Sequence, residues 1–211
     1  MASSRISLRV QQRTFTRERL LGAAKEVFAE RGYVDATVED IAARAGASRA
    51  TFYLHFRSKT ELTLALIEEA ERLGVERYRV LDELLSGPPD QARAELRAWL
   101  AGWLGPWRED AGSNAAVWQA ASSEPDIERR LIALSQAFIS ALERTFDQWP
   151  AERRAEVRER ALMVEMMTQR LFYLAAHSEF PSTDDTLLDF LTDLWWSHFV
   201  SPQRAAVAAG R

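Results

Sequence analysis

Apolar residues recur at three-and-four spacing along almost the whole chain, and nothing alternates like a strand over a useful length. Leu20, Ala24, Val27 and Phe28 make one helical stripe. Val38, Ile41, Ala42 and Ala45 make a second, shorter one, and Phe52 and Phe56 line a third. The boundaries have local causes. Thr37, with Asp40 three residues on, can cap the second helix. Gly46 can take the left-handed conformation that ends it. Ser48 can cap the third helix, and Ser58 followed by Glu61 makes a capping box for the next. A short helix, a tight turn and a second short helix is the layout of a DNA-binding helix-turn-helix, whose second helix enters the major groove. The residues expected to face outward there are Arg49, Ala50, Thr51, Tyr53 and His55, a face without an acid that suits a polyanion. The same pattern also fits an ordinary helical hairpin in which Ser and Thr act only as caps.

The remaining pattern predicts six further helices separated by breakers. A long one runs from about Lys59 to Leu85 and stops before Gly87-Pro88-Pro89. The next carries Leu96, Trp99, Leu100, Trp103 and Leu104 and meets Gly105-Pro106. A short helix follows around Ala115 to Ala121. After Pro125, another carries Ile127, Leu131, Leu134, Phe138, Leu142 and Phe146 and ends at Trp149-Pro150. Two more cover about Ala151 to His177 and Asp184 to Val200. The expected fold class is all-α: a three-helix DNA-binding domain over 16–58 and a six-helix domain over 59–200. They are flanked by a flexible basic arm (1–15) and a flexible tail (201–211).

Residues Thr16 to Leu64 resemble the N-terminal domain of the TetR/AcrR family of bacterial transcriptional regulators. The resemblance rests on AAKEVFAERGY at 23–33, TVEDIAARAGAS at 37–48 and TFYLHFRSKTEL at 51–62. One departure is Ala47, where the family more often has Val. The resemblance implies a homodimeric regulator, most often a repressor, whose operator affinity changes when a small ligand enters the C-terminal domain. It also implies that Tyr53 and Lys59 grip the DNA backbone. Ser48, Arg49, Ala50, Thr51 and His55 would lie along the reading helix, with Thr37 at a helix start facing a phosphate.

Charge changes the picture in one respect. Residues 1–60 hold eleven Lys and Arg against six Asp and Glu, a balance of +5, while the rest of the chain carries −9. A basic first third favours phosphates, although acidic surface elsewhere also simply aids solubility. The arm before Thr16 carries Arg5, Arg9 and Arg13 and no acid. It reads as a reach toward phosphates or a minor groove, or as a terminus with incidental arginines. It has no apolar run of signal-peptide or anchor type.

The absence of cysteine excludes disulfides and thiolate chemistry. The histidines are scattered, and no Gly-rich phosphate loop or nucleophile elbow occurs. The expectation is a cytoplasmic binding protein, not an enzyme, with no cofactor and no metal.

Two features point to partners. The final helix carries Leu187, Leu188, Phe190, Leu191, Leu194, Trp195, Trp196 and Phe199 around well over half its circumference, so it needs burial on two sides. A second subunit would supply one side, with Leu187, Leu191, Leu194 and Trp195 at the interface. A central core helix in a monomer is the other reading. Between 96 and 173 the chain is rich in Trp, Phe and Met. Trp99, Trp103, Trp118, Phe138, Met166 and Phe172 are candidate walls for a small hydrophobic effector, with Thr168 and Gln169 at its polar end. Large aromatic residues are also ordinary packing material.

Overall fold

A computed structural model describes residues 2–87, 89–177 and 180–200. The tail expected at 201–211 lies outside the described residues. Ten α-helices and one 3-10 turn account for nearly all of the described chain: α1 (Ala2–Asp35), α2 (Val38–Arg44), α3 (Arg49–Tyr53), α4 (Lys59–Ser86), α5 (Pro89–Glu109), α6 (Ala111–Ala121), α7 (Pro125–Ser140), α8 (Glu143–Asp147), a 3-10 turn (Ala151–Arg153), α9 (Arg154–His177) and α10 (Asp184–Phe199).

The differences from expectation have local reasons. Residues 2–15, expected as a flexible arm, continue α1 as helix, and the real interruption comes at Gly32, where φ is 73°. Gly105-Pro106 does not end α5, which passes through Pro106 to Glu109. The helix expected from Pro125 through Phe146 divides at Ala141-Leu142 into α7 and α8. The N-cap of α8, Leu142, has no side-chain oxygen. Buried Asp82 on α4 takes over instead, accepting from the backbone N–H of Arg144 (3.1 Å), the N–H of Thr145 (2.8 Å) and the Thr145 hydroxyl (2.7 Å). A carboxylate supplied from another helix satisfies the same orphan donors as a local cap.

The chain forms two compact units: Met1–Glu68 with Gly112–Glu128, and Glu69–Ala111 with Arg129–Arg211. The expected boundary at 58/59 therefore shifts. The start of α4 and all of α6 beyond its first residue belong with the first unit.

Of the core expected for the first unit, Leu20, Ala24, Val27, Phe28, Ile41, Ala42, Ala45, Phe52 and Phe56 are buried, Val38 is half-buried, and Leu62 joins them. Burying each Leu, Ile or Phe side chain among them contributes roughly 1.5–3 kcal/mol. In the second unit the core holds Leu81, Leu85, Leu96, Leu100, Leu142, Phe146, Leu191, Trp195 and Phe199. Gly74 lies within this core, because a Cβ there would come 2.3 Å from Cζ of Phe138. The close approach of that ring offsets the ~1 kcal/mol that glycine costs a helix interior relative to alanine.

Candidate nucleic-acid interface and aromatic core

The turn between α2 and α3 forms by the predicted bonds. Thr37 and Asp40 make a reciprocal capping box at the start of α2. Gly46 sits at φ 59°, and the Ser48 hydroxyl accepts from the N–H of Thr51 at 3.0 Å. Each such cap contributes roughly 1 kcal/mol. With Phe52 and Phe56 buried, α3 turns Arg49, Ala50 and Tyr53 outward.

The candidate DNA contacts separate once their bonds are traced. The side chain of Arg49 is 64% exposed and its Nη1 lies 2.6 Å from Oε1 of Glu39. Its guanidinium also sits 5.6 Å from the Tyr53 ring centroid. The Thr51 hydroxyl pairs with that of Ser48 at 2.9 Å, so both serve the cap. His55 is half-buried. Burial, then the nearby charges of Arg13 and Arg17, push its imidazole below the usual histidine range, so it is a neutral hydrogen-bonding group at neutral pH. Exposed Leu54, 73% accessible, adjoins this face. Neither Glu39 nor Leu54 was singled out from sequence, although Glu39 lies ten residues before Arg49 in the first turn of α2.

Lys59 departs from expectation. Its ammonium donates to the carbonyls of Tyr33, Val34 (3.4 Å) and Ala36 (2.7 Å), and lies 4.2 Å from the Tyr33 ring centroid. An ammonium has three donors, and here all three hold the end of α1. Burial pulls its titration below the usual lysine range. In this structure Lys59 is a clamp on the 33–36 turn and not a free phosphate contact. The side-chain carbonyl of Gln119 on α6 completes the clamp by accepting from the N–H groups of Tyr33 (2.7 Å) and Val34 (3.3 Å).

The second unit gathers an aromatic cluster. Tyr78 stacks on Phe138 at 4.7 Å and meets the edge of Trp99 at 5.1 Å. Trp103 is 6.0 Å from Trp99, and Trp195 is 5.6 Å from Trp99. Phe172 is buried as well. Beside this cluster runs a buried polar chain. The Tyr78 hydroxyl donates to Glu165, which also accepts from the Gln169 amide at 2.5 Å; that amide reaches the Ser135 hydroxyl at 3.1 Å. Burial raises the Glu165 carboxyl to about 7. Tyr78 and Glu165 were missed from sequence. Glu165 is the one acid between Ala161 and His177, and a lone acid inside an apolar run is the signal that could have found it.

Three expectations for this unit are corrected. Trp118 lies in the first unit. Met166 is exposed on the outside of α9. Thr168 is buried, but its hydroxyl donates to the carbonyl of Val164 at 2.8 Å and accepts from the Trp195 indole N–H at 2.8 Å. Of the expected wall residues, Trp99, Trp103, Phe138 and Phe172 remain together in this unit.

The expected dimer residues are corrected too. Leu187, Leu191 and Trp195 are buried within the subunit's own core, at 4%, 0% and 0% exposure, and only Leu194 is half-buried. The apolar side chains left in solvent on these helices are Met163, Met166 and Met167 on α9 and Phe190 on α10. No helix among the described residues is long and apolar enough to cross a membrane.

Residues 20–66 match the family model of bacterial regulatory proteins, tetR family. The HTH-type transcriptional regulator EthR of Mycobacterium tuberculosis is 30% identical over 188 residues, covering 83% of each chain. The HTH-type transcriptional activator FasR of Mycolicibacterium smegmatis is 45% identical over 71 residues, 34% of this chain and 28% of its own. Among solved structures, a TetR-family regulator from Mesorhizobium loti MAFF303099 superposes with a TM-score of 0.65 at 15% identity, covering 88% of this chain and 96% of its own. Another from Streptomyces coelicolor gives 0.64 at 18%, covering 93% and 83%. With a capped helix-turn-helix in place and a relative similar along most of its length, this chain belongs to the TetR family of bacterial transcriptional regulators.

Proposed function

We propose that this regulator is a cytoplasmic repressor that binds a pseudo-palindromic operator as a homodimer and leaves it when a small apolar or aromatic molecule binds the second unit. The observation that carries the DNA reading is the outward face of α3, where Arg49, Ala50 and Tyr53 stand in solvent on a buried Phe52 anchor. Arg49 reads a base edge, Tyr53 meets the backbone, and His55 offers a neutral hydrogen bond. One helix this short reads few bases. Two copies about 34–36 Å apart read two half-sites one helical turn apart.

The stripe Met163, Met166, Met167 on α9 and the exposed Phe190 on α10 support a second copy as the partner, because a patch of large apolar side chains in solvent marks an interface. The aromatic cluster around Tyr78 supports a hydrophobic effector. The effector moves the equilibrium only by its preference for one arrangement over the other, and α4, which contributes to both units, is the element both arrangements share.

The test is a footprint on the DNA upstream of the regulator's own gene, followed by titration of apolar compounds. Release of the operator over the same concentration range as quenching of tryptophan emission supports the reading. Linkage requires that operator DNA weaken the compound by the same factor. A compound that alters fluorescence with DNA affinity unchanged is not the effector.

A further inference from the structure

Arg77 and Trp103 face each other from α4 and α5 within the second unit. The Arg77 guanidinium stacks on the Trp103 ring at 4.5 Å from its centroid. Nε of Arg77 and Nε1 of Trp103 are both buried, and neither has a hydrogen-bond partner. Nearly all buried donors in folded proteins are satisfied, so each exception asks for an acceptor. Here two exceptions adjoin, and one belongs to a permanent cation.

The neighbouring groups do not supply the acceptor. Trp99, one turn before Trp103, donates its own indole N–H to the Arg77 carbonyl at 3.1 Å, so that bond uses the backbone and not the side chain. Glu165 is bonded to Tyr78 and Gln169. Asp82 caps α8. Glu71 pairs with Arg130, and Glu76 with Arg79. Among the described residues Arg77 has no ion pair. Burial lowers its titration from the usual arginine value. Gly102, against the guanidinium, leaves that face of α5 without a side chain; a Cβ would sit 3.6 Å from Nη2.

We propose that Arg77 and Trp103 form a carboxylate site, and that the effector of this regulator is an apolar monocarboxylate whose head they bind. The inference rests on the effector reading above and narrows its chemistry. A guanidinium edge and an indole N–H present two donors, which matches the two oxygens of a carboxylate. The half-buried Trp99 and Trp103 supply flat apolar contact for the rest of the molecule. A neutral hydrophobe would leave both donors without an acceptor, and a cation would meet the guanidinium.

The test uses the full-length protein without DNA at pH 8, with decanoate, decanol and decylamine below their aggregation limits, read by isothermal titration calorimetry. Decanoate is expected to bind at least tenfold more tightly than decanol, and decylamine more weakly than either. Arg77→Met and Arg77→Gln should both bring decanoate down to decanol, and Trp103→Phe should remove part of the preference. Thermal melts establish that the variants are folded, and the glutamine variant keeps the polarity if methionine disturbs packing. Equal binding of decanoate and decanol by the wild type, no decanoate binding, or a preference that survives both Arg77 substitutions overturns the site. Operator release is scored separately. Release by uncharged apolar compounds alone overturns the carboxylate site and leaves the effector reading standing. Decanoate binding that never releases DNA keeps the site and overturns its effector role.

Discussion

The indole N–H of Trp195 on α10 donates to the hydroxyl of Thr168 on α9 at 2.8 Å, with both side chains buried. This bond ties the last two helices together inside one subunit, and it directs the dimer test to other residues. Trp195→Glu is expected to unfold the second unit, because an uncompensated buried charge costs several kcal/mol. Phe190→Glu or Met163→Glu should give a folded monomer of near-normal melting temperature that has lost operator affinity. Sedimentation and melting curves separate the two outcomes, and a normal-sized dimer carrying both surface changes moves the interface elsewhere.

Arg49→Ala should lower operator affinity by ~1–3 kcal/mol, the range for a bidentate contact to guanine, with much less effect on random DNA. The Glu39 carboxylate now holds that guanidinium at 2.6 Å and must release it to a base. Exposed pairs of this kind are weak, so release is easy. Equal loss on both DNAs in a gel shift would assign Arg49 to phosphate.

Lys59→Met should destabilise the first unit by about 1–3 kcal/mol, since charge-assisted bonds to the carbonyls of residues 33–36 disappear. The salt dependence of DNA binding should keep its slope. A slope flatter by about one charge per subunit would mean that Lys59 turns to phosphate on the operator.

Gly74→Ala should displace the Phe138 ring, whose Cζ would lie 2.3 Å from the new Cβ. Overpacking of this kind costs roughly 1–3 kcal/mol, more than the helix gains from alanine. The expected result is a lower melting temperature and a changed tryptophan spectrum, as Trp99 and Trp103 share the cluster. An unchanged or higher melting temperature would show that the ring gives way freely.

Buried Glu165 holds its proton to about 7, whereas an unfolded glutamate releases it near ~4.3. Between those values the native state binds more protons than the unfolded one. Stability should therefore fall as pH rises through this window and level off above it. Melting curves from pH 5 to pH 8 should show that decline in the wild type and a flatter profile in Glu165→Gln.

What could be read from sequence follows from where the determining forces lie. Caps and turns act over three or four residues, so Thr37, Gly46 and Ser48 disclosed the helix-turn-helix with the correct bonds. The burial of Phe52 and Phe56 followed from spacing alone. Choices made between distant residues were not legible. Lys59 matched a DNA-gripping position, yet its reach to the carbonyls of 33–36 depends on tertiary approach. The periodicity of α10 showed that Leu191 and Trp195 are apolar, but it could not say which side the subunit keeps for itself. Asp82, inside α4, caps the start of α8 62 residues away, and no local pattern announces such a bond. Tyr78 and Glu165 are 87 residues apart and meet for the same reason.

Gln119 carries a consequence for protein engineering. Exchanging the recognition head of a regulator by a single cut assumes that the head is one continuous segment. Here the folding unit that presents α3 is discontinuous in the chain. Residues 112–128 belong to it, Gln119 holds the break at Gly32, and a Cβ on Gly112 would fall 2.6 Å from Cα of Ala29. A head severed at Glu68 leaves the N–H groups of Tyr33 and Val34 without their acceptor and uncovers the flank of α1 around Ala29. A transplant that works must carry two segments, with α6 travelling alongside the reading helix as part of its scaffold.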